Sequence, residues 1–79
     1  MSHTPHELAE DFPEHVEKLS TLRTTNAHFA KLTDAYHAIN RDVHRAETDV
    51  EPTSDAHLAE MRRERMVLKD EIYALLRAS

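Results

Sequence analysis

Apolar residues in this chain recur at alternating steps of three and four across most of its length. From about Asn26 the series runs Phe29, Leu32, Tyr36, Ile39, Val43, Ala46 and Val50. That is the a/d seam of a long amphipathic helix, sustained for about three heptads. A second series runs Leu58, Met61, Arg65, Leu68, Ile72 and Leu75. Between the two lies Glu51-Pro52-Thr53-Ser54-Asp55, the strongest breaker in the second half of the chain. Pro52 cannot continue a helix, and Thr53 or Ser54 can cap a new one. So short a break returns the second helix antiparallel beside the first.

The two series check each other. Antiparallel pairing about Pro52 sets Phe29 opposite Leu75, Leu32 opposite Ile72 and Tyr36 opposite Leu68. The same register sets Ile39 opposite Arg65, Val43 opposite Met61 and Ala46 opposite Leu58. Periodicity and punctuation are separate signals, and their agreement predicts an all-α fold. The expected architecture is an antiparallel two-helix hairpin, coiled-coil-like, over residues 26–79 with its turn at 51–54. A short, kinked helical segment over residues 1–25 precedes it. In that segment Thr4-Pro5-His6-Glu7 reads as a capped helix start, and Leu8 and Phe12 share a face. Pro13 interrupts it. A second short helix carries Val16, Leu19 and Leu22 up to the capping residues Thr24, Thr25 and Asn26.

Composition sharpens the picture. The chain has 79 residues with no glycine and no cysteine. Without glycine, phosphate-cradling loops, dinucleotide folds and tight sheet hairpins lose their usual hinge residue. Without cysteine there is neither a disulfide staple nor a thiolate metal site. No stretch approaches the ~20 apolar residues of a membrane span. The N-terminus, with His3, His6, Glu7 and Glu10, lacks the apolar run of a secretory segment. A cytoplasmic location is the expectation, with no membrane partner.

The net charge is −5, and no region carries a basic excess. Arg62, Arg63 and Arg65 are interleaved with Glu60 and Glu64, the pattern of a solvated helix face. Nucleic acid is therefore an unfavoured partner, kept as an alternative through Arg62, Arg63, Arg65 and Lys69.

The second helix has more apolar residues than its seam uses. Met66 and Tyr73 lie seven apart on a face outside the seam, and Val67 and Leu76 widen that arc. A helix seldom leaves such an arc bare, and two helices this short bury little surface alone. The arc is expected to be covered by the N-terminal residues, with Phe12 and Leu19 among them, by a second copy, or by another protein. The candidate interaction surface is thus Met66, Val67, Tyr73, Leu76, Phe12 and Leu19. Arg65 stands where the seam expects an apolar residue. It reads as a long stem packed beside Ile39, or as a register device bridging Asp42 and Glu64.

Catalytic chemistry finds little support. Adjacent acids such as Asp70-Glu71 and Glu10-Asp11 point to different helix faces. Ser20, Ser54 and Ser79 lack a nucleophile-elbow context. Tyr36 and Tyr73 read as packing residues. The expectation is no enzyme, no cofactor and no small-molecule substrate.

Several stretches, in order, resemble one family: Phe12-Pro13-Glu14-His15, His28-Phe29-Ala30-Lys31-Leu32, Glu47-Thr48-Asp49-Val50-Glu51-Pro52 and Leu68-Lys69-Asp70-Glu71-Ile72-Tyr73. They resemble the YdcH-like family of small bacterial proteins of unassigned function. The resemblance implies a bacterial cytosolic protein with coiled-coil character, and it supplies no activity or catalytic residue. The leading functional expectation is a structural or protein–protein interaction module that self-associates or docks a partner through the second helix.

Seven histidines, at positions 3, 6, 15, 28, 37, 44 and 57, raise the alternative of a metal or pH sensor. None of them makes the i, i+4 pair that lets two imidazoles on one helix share an ion. His37 and His44 lie two turns apart, about 10 Å along the axis. Zinc titrated into the protein and followed by calorimetry is expected to show no tight, stoichiometric binding. A tight one-to-one isotherm would show that histidines converge.

Overall fold

The computed structural model describes residues 7–48 and 53–78, and all of its regular elements are helical. Helix α1 spans Leu8–Asp11, a 3-10 turn spans Pro13–His15, α2 spans Val16–Thr25, α3 spans Ala27–Glu47 and α4 spans Asp55–Ala78. The expected start at Thr4 and Pro5, the histidines at 3 and 6, and the breaker at Glu51 and Pro52 lie outside the described residues.

Each boundary has a local cause. Phe12, before proline, sits at φ −126° and ψ 61°, outside the helical region, and ends α1. Pro13 then occupies the first position of the 3-10 turn, where its missing N–H costs nothing. Asn26 is extended, and its N–H closes α2 on the Leu22 carbonyl at 2.8 Å. The Asn26 side chain in turn accepts from the Phe29 N–H at 3.1 Å and caps α3. One asparagine thus ends one helix and starts the next. Ser54 caps the start of α4, its hydroxyl oxygen accepting from the His57 N–H at 3.1 Å.

Helices α3 and α4 pack against each other, and α2 packs on α3. The polar ties between α3 and α4 run in opposite order along the two helices. Arg62, early in α4, donates to Glu47 at the end of α3 at 2.6 Å. Arg65, one turn on, donates to Asn40, two turns back, at 3.1 Å. The core unites Leu8 of α1, Phe29, Leu32 and Tyr36 of α3, and Ile72 and Leu76 of α4. Phe12, Leu19, Leu22, Leu68 and Leu75 pack around it, half-buried.

The buried face of α3 differs from the expected seam. Phe29, Leu32, Tyr36 and Val43 are buried as the spacing suggests, but so are Thr33 and Asn40. Ile39 and Ala46 are only half-buried. The cause is that α3 has neighbours on two sides, α4 and the N-terminal segment, so its buried arc is wider than a two-helix seam. On α4, Met61, Ile72 and Leu76 are buried, while Leu58, Arg65, Leu68 and Leu75 are half-buried.

Asn40 and Arg65 explain each other. A buried amide needs a partner, and the guanidinium supplies one across the helix pair. The bridge that the sequence suggests, from Arg65 to Asp42 and Glu64, is not formed among the described residues. Asp42 faces Arg45 at 4.0 Å, one turn along its own helix. Tyr36 lies beside this layer, fully buried. Its hydroxyl is pushed up from 10.0 to about 12, by burial above all, with Asp11 and Glu7 adding to the rise and Arg65 opposing it.

Two outcomes follow. Arg65→Leu takes a charged donor from Asn40 and should cost about 1–3 kcal/mol. The melting temperature should then fall by several degrees, at roughly 4–8 °C per kcal/mol for a domain of this size. Adding Asn40→Leu should recover most of the loss, because no amide is then left without its donor. A wild-type melting temperature for Arg65→Leu alone would show the pair to be idle. For Tyr36, the folded chain holds its proton to higher pH than the unfolded chain does. Its contribution to stability is therefore intact below about pH 10 and is lost as the pH climbs toward about 12. A melting series over that range should fall more steeply for the wild type than for Tyr36→Phe. Parallel curves would contradict the assignment.

Candidate interaction face on helix α4

The N-terminal segment is fastened to the other helices by apolar and polar contacts together. Leu8 is only 4% exposed and sits in the shared core. Phe12 stacks on Tyr73 of α4, with ring centroids 5.3 Å apart and planes 7° from parallel. The Lys69 ammonium stands 5.7 Å over the Phe12 ring and 2.8 Å from Asp11 Oδ2. Both partners of that ion pair are partly sheltered, which makes it worth more than an exposed pair. Glu7 reaches His37 Nδ1 at 3.0 Å on α3. Lys18 donates to the Leu76 carbonyl at 3.2 Å. That places a cation at the C-terminal end of α4, where the open carbonyls and the helix dipole favour one. Arg23 of α2 pairs with Asp34 of α3 at 2.8 Å, both side chains more than half exposed.

This docking sorts the six residues of the expected interaction surface. Leu76, expected on the outer arc, is fully buried. It lies one turn beyond Ile72, and both point into the groove between α3 and the N-terminal segment. Phe12 and Leu19 are half-buried against that core. Met66, Val67 and Tyr73 remain outside, at 56%, 48% and 41% exposed. Tyr73 is shared: one ring face takes Phe12, and Arg77 stands 5.6 Å from its centroid. Val16, on the exposed side of α2, is the remaining large apolar residue in solvent among the described residues.

The concave sites offer less. A groove of about 320 Å³ lies between the N-terminal segment and α3, lined by Glu7, Leu8, Val16, Leu19, Arg23, Thr33 and His37. Its ionisable groups are already committed, Glu7 to His37 and Arg23 to Asp34. A hollow of about 210 Å³ is bounded by Tyr36, Arg62, Arg65, Met66 and Lys69. Its three cations are held by Glu47, Asn40 and Asp11. Among the described residues no group of three His, Asp or Glu side chains is placed to hold a metal ion. No described helix is long and apolar enough to cross a membrane.

Sequence spacing alone marks Met66, Val67 and Tyr73, because they fall outside the seam. It does not mark the Phe12–Tyr73 stack or the Asp11–Lys69 pair, which join residues some sixty positions apart. Asn40 was visible in principle, since it lies four positions after Tyr36 and three before Val43 on one helix stripe.

No curated protein and no solved structure matches the chain. A family model does match, over residues 29–76, which takes in nearly all of α3 and most of α4. More than half of the chain lies in that match, and the chain belongs to the family described as a protein of unknown function, DUF465.

Proposed function

We propose that this chain is a non-enzymatic interaction module: an antiparallel, coiled-coil-like helical hairpin of α3 and α4, braced by its N-terminal segment, that presents the outer face of α4 to a protein partner. The observation that carries the reading is the exposure of Met66 and Val67. They stand side by side on α4 and stay uncovered after the N-terminal segment has docked. The opposite order of the α3–α4 ties supports the hairpin. The order of those stretches that resemble YdcH-like proteins supports a bacterial, cytoplasmic setting.

The energetics suit such a role. Burying one Met or Val side chain is worth about 1.5–3 kcal/mol, so covering both contributes substantially to an interface. Exposed apolar side chains flanked by charge form the usual plan of a contact surface, with an apolar centre and a polar rim. Met adapts its shape to whatever covers it, which suits an interface centre.

A photo-crosslinking amino acid placed at Val67 tests the reading in cells that make the protein. Adducts with protein are expected at this position, well above those formed from the same probe at the exposed Ala38 of α3. Equal, background labelling at both positions would remove the outer face of α4 as an interface.

A further inference from the structure

The outer face of α4 carries more than two apolar residues. Ala59, Arg63, Met66, Asp70, Ala74 and Arg77 form one stripe, spaced at steps of three and four and all exposed. The stripe lies on the side of α4 opposite the buried Met61 and Ile72. Arg77 stands over the Tyr73 ring, but the two charges nearest the middle of the stripe are uncommitted. Among the described residues neither Arg63 nor Asp70 has an ion-pair partner within the chain.

We propose that the partner of this face is a second copy of the chain, and that the two α4 helices pair antiparallel about a two-fold axis passing between Met66 and Val67. The proposal rests on the reading of α4 as an interface and adds the occupant and its register. In that register Met66 of one copy meets Val67 of the other, twice, at the centre. Ala59 meets Ala74 on either side, and small residues there let the helices approach closely. Arg63 of each copy faces Asp70 of the other. Each of these charges meets one of opposite sign, and a two-fold contact repeats each pairing.

Other arrangements lose this match. A parallel pair sets Arg63 on Arg63 and Asp70 on Asp70. An antiparallel pair centred on Asp70 sets Asp70 on Asp70 and Arg63 on Arg77. Like charges directly opposed work against association. The contact is modest in size. About four turns of helix per copy fall near the low end of specific interfaces, about 1,000–1,200 Å² in total. An interface of this size should associate reversibly, with the dimer fraction depending on concentration.

Light scattering and sedimentation of the full chain across concentration test the proposal, with circular dichroism and melting to confirm that each variant folds. The wild type is expected to shift from one chain mass to two as concentration rises. Arg63→Asp should weaken the dimer about tenfold or more, since the change strikes the interface twice. Arg63→Asp combined with Asp70→Arg in the same chain should restore it. The two positions lie two turns apart, about 10 Å, so restoration has to come from the second copy. A wild type that stays one chain in mass throughout would overturn the proposal. So would a folded double variant that remains as weak as the single one. Crosslinks from Val67 to some other protein, with the purified chain monomeric, would leave the α4 face as an interface and remove the second copy as its occupant.

Discussion

Leu8 and Phe12 close a groove that α3 and α4 leave open between them. Leu8 enters the core beside Phe29, Tyr36, Ile72 and Leu76, and Phe12 lies flat against Tyr73 at its edge. Two helices of 21 and 24 residues share one contact line. A contact line of that kind cannot enclose a side chain as large as tyrosine on every side. With the N-terminal segment in place, Phe29, Tyr36, Ile72 and Leu76 reach zero exposure. A chain without cysteine has no covalent staple to offset so small a core. The third side of the groove has to come from elsewhere in the chain, and residues 7–25 supply it.

The same closure governs the polar groups. Burial, with Asp11 and Glu7 adding to it and Arg65 opposing it, lets the Tyr36 hydroxyl keep its proton to about pH 12. Asn40 can be buried because Arg65 reaches it from α4. Asp11 can approach the interior because Lys69 follows it. These groups add less to stability than apolar ones of equal size would, but they fix which residue of α4 meets which residue of α3. They also use up the inward cations of α4. Arg63 and Arg77 are left on the outer side, together with Met66, Val67 and the uncovered part of Tyr73. The exposed outer face of α4 is thus what remains after the inside has been satisfied.

Much of this was legible in the sequence. Step patterns of three and four placed both long helices, and Pro13, Asn26 and Ser54 marked their ends through chemistry that acts within a few residues. Spacing also separated Met66, Val67 and Tyr73 from the α4 seam. What spacing could not carry was the third element. Whether Leu8 and Phe12 dock, and where, depends on contacts between residues far apart in the chain. Those contacts turned Leu76 inward, widened the buried arc of α3 to include Thr33 and Asn40, and left Ile39 half-exposed. A heptad pattern assumes one neighbour per helix, and it drifts from the true buried face wherever a helix has two.

The central claim is that residues 7–25 belong to the same cooperative unit as α3 and α4. Native-state hydrogen exchange on the intact chain, with increasing denaturant, tests it most directly. The account predicts that amides of Leu19 and Leu22 in α2 and of Ile72 and Leu76 in α4 open together, with one free energy and one denaturant dependence. Exchange of the α2 amides at unfolded-chain rates, while α3 and α4 stay protected, would contradict it.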